Sequence, residues 1–179
     1  MILLDPDLDP DPLPNSKSAK RTAAGSSLHS RDLELPTART LARFLTLAQA
    51  AVHVRGQVTV LLTTDDAIRK LNRKFRGKNK ATDVLSFPAE GPNRGTGAET
   101  IAGDLAISVT TALGQAAEQG HPLSTEIKVL ILHGLLHLAG YDHEADNGLM
   151  ARHERLLRGK LKLPQGLIER AAQPKAKRA

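Results

Sequence analysis

The chain has 179 residues and a formal net charge of +6, with 25 lysine and arginine residues against 19 acidic residues. This length suits one domain, with or without a tail, and an apolar content of 40% is typical of a globular protein. Because cysteine is absent, disulfide frameworks, thiolate zinc fingers, iron–sulfur clusters and cysteine nucleophiles are excluded. A transition-metal site in this chain must be built from histidines and carboxylates.

The sequence also limits where the protein acts. No stretch approaches the roughly 18 uncharged apolar residues of a transmembrane helix. The N-terminus has neither the basic region nor the long apolar run of a signal peptide. We therefore expect a cytoplasmic protein with no membrane partner. Its basic charge favours polyanionic partners, and the sequence leaves the oligomeric state open.

Apolar periodicity divides the chain into three parts. Residues 5–31 are rich in Asp, Pro, Ser and Lys, so we predict that residues 1–36 form a flexible or loosely attached segment, although residues 2–4 suit a short edge strand. Residues 37–160 form the predicted domain, and residues 161–179 form a basic tail. The predicted elements of the domain are helices at 37–54, 64–75, 109–119, 124–139 and 147–157, and strands at 57–63, 82–87 and 101–108.

Local signals refine these elements. Thr64 is placed to cap the second helix, whose predicted inner face carries Ile68, Leu71 and Phe75. Pro88 is expected to stop the strand that precedes it. The helix at 124–139 is apolar nearly all round, which marks it as a buried central helix. This order of elements predicts one α+β domain in which a small mixed β-sheet packs against helices.

The central helix carries the most informative motif, which runs from His133 through His137 and Gly140 to His143. Residues four apart lie on one helix face, roughly 6 Å apart, so both imidazoles can reach one ion. Gly140 can end the helix and turn His143 towards the same face. Three neutral ligands with an open fourth position are typical of a catalytic zinc. The alternative is that these are ordinary histidines of a buried helix.

The histidine spacing is also that of the metzincin proteases, His-Glu-x-x-His-x-x-Gly-x-x-His. In those proteases the Glu takes a proton from the attacking water. Here that position is Gly134, which has no side chain to accept a proton. A zinc metalloprotease-like hydrolase is therefore a rival hypothesis that lacks its general base.

Three sequence blocks together resemble the YbeY family of bacterial endoribonucleases. They are the histidine motif, residues 71–78 (LNRKFRGK) with 82–88 (TDVLSFP), and residues 103–107 (GDLAI). The resemblance covers roughly residues 37–160. It implies a zincin-like fold whose central helix carries the metal-binding histidines, with one zinc ion per chain on His133, His137 and His143.

The resemblance further implies a zinc-dependent endoribonuclease that cuts single-stranded RNA. It would act in ribosomal RNA processing, at the 3′ end of 16S RNA, and in ribosome quality control. The implied partners are ribosomal RNA and the ribosome or small-subunit assembly factors. The functional arginine of the family falls on Arg76. Phe75 stands where the family often has Tyr, a difference expected to alter packing rather than chemistry.

The charge distribution agrees with an RNA substrate, since residues 69–80 hold seven cations and no acid. The guanidinium of Arg76 suits the charge that develops on a phosphate during cleavage. We expect Arg73, Lys74, Lys78 and Lys80 to contact flanking phosphates, the alternative being a solvated helix face. With only 2% aromatic residues, little base stacking is expected, so target choice would come from a partner or from the ribosome.

Other assignments stay open at this point. A third hypothesis is a non-catalytic ribosome-assembly factor with a structural zinc. Asp142 suits either the orientation of a histidine or the role of a base, and Asp83 and Ser86 suit substrate positioning or, for Asp83, a cap at the strand entrance. Gly103 and Asp104 predict a turn or bulge. The attacking group is either an activated water or the RNA 2′-hydroxyl.

Overall fold

The computed structural model describes residues 1–8, 30–89, 100–143 and 145–164. These ranges form four strands, five α-helices and a short 3-10 helix at Ser30–Leu33. The strands are β1 (Ile2–Leu4), β2 (Gln57–Thr63), β3 (Val84–Pro88) and β4 (Ile101–Ser108). The α-helices are α1 (Ala38–Val52), α2 (Asp65–Arg76), α3 (Val109–Gln119), α4 (Leu123–Leu138) and α5 (Leu149–Leu161).

The strands form one mixed sheet in the order β1-β2-β4-β3. β1 and β4 both pair with β2 in parallel, and β3 pairs with β4 antiparallel. The predicted α+β class with a small mixed sheet is confirmed. Ile2–Leu4 forms the edge strand that the sequence left open, and Asp5 continues the contact because it accepts a hydrogen bond from the Thr63 hydroxyl at 2.5 Å. This hydrogen bond lowers the pKa of the Asp5 carboxyl.

The sheet has a different core on each face. Leu105 and Ile107 of β4 contribute to the larger cluster, which also contains the buried residues of α1, α3, α4 and α5. Ala106, which points to the opposite face, packs with Ile68 of α2 and Leu85 of β3. α4 and α2 therefore lie on opposite faces of the sheet, and β3 is the edge strand nearest to both.

The helix boundaries follow from local capping. The Thr64 hydroxyl accepts a hydrogen bond from the Ala67 N–H at 3.3 Å, as predicted, and Gly77 ends α2 in the left-handed conformation. The prediction that Phe75 lies on the inner face of α2 is wrong, because its side chain is 57% exposed. In the last turn of α2, the ring of Phe75 meets the ring of Phe87 on the edge strand β3.

β3 differs from the sequence prediction at both of its ends. It begins at Val84 rather than at residue 82, and Pro88 belongs to the strand rather than ending it. Among the described residues β3 has β4 as its one neighbour, so a proline without an N–H is tolerated there. Opposite Pro88 lies Gly103, where a Cβ would stand 2.4 Å from the Phe87 carbonyl oxygen. The register of β2 with β4 skips one residue just before Gly103, which confirms the predicted bulge.

The last helix is shifted from its predicted range of 147–157 to Leu149–Leu161. Asn147 and Gly148 both have positive φ, which is incompatible with the first turn of a right-handed helix. The carboxylate of Asp146 accepts hydrogen bonds from the Gly148 and Met150 N–H groups and so starts the helix later. No helix in the described ranges is both long and apolar enough to cross a membrane.

Candidate metal centre and active-site cleft

Helix α4 holds two of the three predicted ligands. Most of its side chains are buried, as predicted for a central helix, and His133 lies within this packed part with only 5% of its surface exposed. His137 is half-buried one turn later, near the end of the helix. Since the neighbouring residues of α4 are locked in the core, the two imidazoles have little freedom to move apart.

The turn after α4 brings the third histidine to the same place. Gly140 has a φ of 94°, a conformation that favours glycine, and its N–H bonds the His137 carbonyl oxygen at 2.9 Å. The Tyr141 N–H bonds the Leu136 carbonyl oxygen at 3.1 Å. These two bonds reverse the chain, so the exposed His143 faces the helix end.

The three imidazoles form a compact cluster. Their ring centroids lie 4.8 Å (His133 to His137), 5.4 Å (His133 to His143) and 5.3 Å (His137 to His143) apart. One nitrogen of each ring lies within 4.8 Å of the other two. The Nε2 atoms of His133 and His137 are 3.2 Å apart, close to the ~3.3 Å that separates two nitrogens on one tetrahedral zinc. The cluster can therefore hold a metal ion.

Glu154, on α5, orients the most buried ligand. Its Oε1 lies 3.1 Å from Nδ1 of His133, and its carboxylate is 1% exposed. An Nδ1–H donated to this carboxylate leaves the lone pair on Nε2, which faces the cluster. Sequence reasoning missed Glu154, although a signal exists: it lies four residues after Met150 and three before Leu157, on the buried stripe of α5. An acid on an apolar stripe needs a buried partner.

His137 is held in the form that a metal requires. The pKa of His137 is lowered to about 4, mainly by burial and then by the nearby His133 and His143 rings, whose effect exceeds the opposing effects of the Tyr141 backbone and Asp142. A neutral imidazole has a lone pair available for a metal at pH 7. No proton has to be displaced from His137 when an ion binds.

A cleft of about 560 Å³ joins the histidines to the cationic segment. It follows the free edge of β3, with the α4 turn on one side and the end of α2 on the other. Arg76, the predicted catalytic residue, lines this cleft together with Lys78 and Lys80, two of the predicted RNA-contacting residues. Arg73 and Lys74 are exposed on α2 and do not line it.

Three cations that line the cleft, Arg76, Lys78 and Lys80, form no ion pair with an acid in the part of the chain that the structure describes. Two acids, Asp83 and Asp142, line the same cleft. Unpaired cations that converge on one cleft favour an anionic ligand.

Asn72 positions the cationic segment and was also missed by sequence reasoning. Its side chain is 3% exposed, and its Nδ2 donates a hydrogen bond to the Lys80 carbonyl oxygen at 2.8 Å. The backbone carbonyl oxygen of Asn72 accepts a hydrogen bond from the Lys78 N–H at 3.3 Å. Asn72 thus ties both lysines to α2. A polar residue four positions after Ile68 on the buried face was the available signal.

Gly134 occupies the point where α4 meets the sheet. A Cβ at this position would lie 2.8 Å from Cδ2 of Leu105 and 3.2 Å from Oγ of Ser86, whose hydroxyl donates to the Gly134 carbonyl oxygen. A glutamate here would push its carboxylate into the contact between α4 and β4. The general base of the metzincin motif therefore has no space in this fold.

The remaining candidates divide into structural and lining residues. Asp83 accepts hydrogen bonds from the Val84 N–H at 2.9 Å and from Nε2 of Gln115 at 3.0 Å, so it fixes the start of β3, as the capping alternative predicted. Asp142 and Ser86 line the cleft beside the histidines. The roles of these two residues in catalysis stay predictions.

Known proteins of one family are similar to this chain over most of its length. The family model for endoribonuclease YbeY matches residues 23–162. The endoribonuclease YbeY of Koribacter versatilis is 54% identical over 141 residues, which cover 79% of this chain and 88% of that protein. The corresponding protein of Solibacter usitatus is 50% identical over 128 residues, which cover 72% and 82% of the two chains.

One solved structure is also similar, the solution structure of TM1509 from Thermotoga maritima. It is 23% identical, with a TM-score of 0.49, and covers 82% of this chain and 96% of that one. The family model covers well over half of the present chain, and two relatives share half or more of the aligned residues. The chain therefore belongs to the YbeY endoribonuclease family.

Proposed function

We propose that this protein is a zinc-dependent endoribonuclease that cuts single-stranded segments of ribosomal RNA. Its expected role is maturation of the 3′ end of 16S RNA and ribosome quality control, in contact with the ribosome or small-subunit assembly factors. A cytoplasmic location, expected from the sequence, belongs to the same proposal.

One observation carries the proposal: the three histidines and the three unpaired cations line the same cleft. A metal cluster alone would suit many hydrolases, and cations alone would suit a passive RNA-binding surface. Their convergence supports the proposal, because hydrolysis of a phosphodiester by a metal enzyme needs cations that can bind phosphate close to the metal.

The residues of the chain have separable tasks in this reaction. His133, His137 and His143 would hold the metal, and Glu154 would keep the His133 ring in the correct tautomer. Zinc at such a site supplies Lewis acidity towards a phosphoryl oxygen and lowers the pKa of water to about 7. Arg76 would hold the non-bridging oxygens of the scissile phosphate through its planar guanidinium. Lys78 and Lys80 would hold the neighbouring phosphates.

The geometry disfavours the two rival functions in different ways. A peptidase lacks its general base, because Gly134 is packed against Leu105 and Ser86. A purely structural zinc is usually closed by four protein ligands, whereas the cluster contains three histidines and one of them, His143, is exposed. An open position is what a hydrolase needs.

Cleavage of end-labelled single-stranded RNA by zinc-loaded protein tests the proposal. Wild type is compared with His137→Ala, with a chelator, and with His53→Asn as a matched control. His53 is an exposed histidine with a φ of 65° outside the histidine cluster, and asparagine tolerates that conformation. We expect cleavage by wild type and His53→Asn, and none by His137→Ala or after chelation.

The outcomes separate the hypotheses. If wild type, folded and loaded with zinc, cuts neither free RNA nor immature ribosomes, the nuclease proposal is wrong and the assembly factor becomes the better explanation. Cleavage of a peptide library that disappears in His137→Ala would instead support the protease. The product ends identify the attacking group, because a cyclic phosphate reports the 2′-hydroxyl and a linear phosphate reports water.

A further inference from the structure

Phe75 is an aromatic side chain that the fold does not bury. The chain has only three phenylalanines and one tyrosine, yet the side chain of Phe75 is 57% exposed. Exposed apolar residues are common, but this one stands between Lys74 and Arg76 in the most cationic segment of the chain. Its position therefore needs an explanation other than core packing.

The ring of Phe75 is held against a second ring, next to a residue that lines the cleft. It meets Phe87 of β3 in an edge-to-face contact, with ring centroids 5.1 Å apart and planes at 67°. Arg76, which follows Phe75 on the helix, lines the cleft, although Phe75 itself does not. Phe75 is thus held by one ring beside the cleft while 57% of its side chain faces solvent.

The surroundings of the ring favour a polyanion that carries flat rings. The Nζ atom of Lys74 lies 5.1 Å from the Phe75 ring centroid, and Lys78 and Lys80 follow within five residues along the chain. Combined aromatic faces and cations are the usual means of binding single-stranded nucleic acid, because each base offers a ring and each phosphate a charge. A protein hot spot would instead be expected inside a larger apolar surface.

From these observations we infer that Phe75 is a stacking platform for one base of the RNA strand, next to the nucleotide whose phosphate lies at Arg76. This inference rests on the proposed function. It differs from two expectations of the sequence analysis. The low aromatic content suggested little base stacking, and Phe75 in place of Tyr was expected to affect packing alone. A single stack cannot read a full sequence, but it can fix the register of the strand in the cleft.

The test measures binding of short 2′-O-methyl RNA strands to the zinc-loaded full chain. In the first set of strands, one position carries 2-aminopurine, whose fluorescence is quenched by stacking. In the second set, a single abasic site is placed at a different nucleotide position in each RNA strand. Phe75→Leu keeps apolar bulk without an aromatic face, and Phe75→Tyr keeps the face. Leu47→Ala is the matched control, because Leu47 is 62% exposed on α1 and has no lysine or arginine beside it in the sequence.

Stacking on Phe75 predicts that Phe75→Leu weakens binding roughly 5- to 150-fold, while Phe75→Tyr and Leu47→Ala leave it within about twofold. One abasic position should weaken binding to wild type and have no effect on Phe75→Leu. The slope of binding against salt should be the same for wild type and Phe75→Leu, because no charge is lost, whereas Lys74→Gln should lower it. Thermal unfolding of each variant verifies that it is folded.

Two results would overturn the inference, and they differ from a failure of the proposed function. Equal RNA binding by wild type and Phe75→Leu, with RNA still cleaved by wild type, would leave the nuclease intact and show that no base stacks on Phe75. Equal losses at every abasic position would show that no single base stacks there. If wild type neither binds nor cuts RNA, the proposed function itself fails and the inference fails with it.

Discussion

The cleft has two walls, which differ in how deeply their side chains are buried in the fold. The histidine wall belongs to α4, whose side chains are almost all buried and whose ligand His133 is fixed by a carboxylate that is 1% exposed. The cationic wall consists of exposed side chains at the end of α2 and in the segment after it, where Asn72 is the buried anchor. We therefore expect the capacity of the histidine wall to bind a metal to be coupled to folding, whereas the side chains of the cationic wall can change without affecting the core.

The packing of the histidine wall can be broken at Gly134. Gly134→Ala places a methyl group 2.8 Å from Cδ2 of the buried Leu105, and such overpacking costs about 1–3 kcal/mol. Gly114→Ala on α3 is the matched control, because no atom outside the adjoining backbone of the helix lies within 4 Å of that added Cβ. Since both changes gain the same helix propensity, the difference between their free energies of unfolding in urea isolates the packing effect. Equal stability of the two variants would show that Leu105 yields without cost.

A substitution of Glu154 tests whether its contact with His133 supports metal binding by the histidines. Glu154→Gln keeps an oxygen for Nδ1 of His133 but removes the charge, so we expect zinc affinity to fall about 10- to 100-fold. Competition with a chelating dye measures this affinity. Glu118→Gln, an exposed change on α3, is the control that should leave it unchanged. Unaltered zinc affinity in Glu154→Gln would mean that the contact with His133 does not support the metal.

The cationic wall should respond in the opposite way. Lys78→Gln removes an exposed charge, so the free energy of unfolding should stay within about 0.5 kcal/mol of wild type. Its affinity for single-stranded RNA should fall, and the slope of log K against log salt should decrease by about 0.7. Arg43→Gln on α1 removes the same charge outside the cleft and should leave the slope unchanged. Equal salt-dependence slopes for both variants would show that Lys78 does not belong to the RNA-binding surface.

The difference between the walls also explains what the sequence could reveal. The clustering of His133, His137 and His143 was predictable, because helical spacing and a glycine turn are local properties. Glu154 was missed, because its partner lies 21 residues away on another helix. Phe75 was assigned to the core from periodicity, yet its side chain, in the last turn of α2, is mostly exposed. Pro88 was expected to end a strand, but an edge strand tolerates it.

Acid sensitivity of the metal-free protein is the last effect that we expect, and it sharpens the comparison within the histidine wall. The pKa of His137 is about 4 in the folded state and about 6.5 when exposed, so the unfolded state binds more protons between these values. The contribution of His137 to stability is therefore complete above about pH 6.5 and is lost progressively as the pH falls towards 4.

Urea unfolding of chelator-treated wild type and His137→Gln across this range measures that contribution. The stability of wild type relative to the variant should decline as the pH falls, because glutamine binds no proton in either state. A constant difference would show that His137 titrates normally in the folded protein. The neutral form of the ring would then be set by the metal, and the wall would not be organised for binding before an ion arrives.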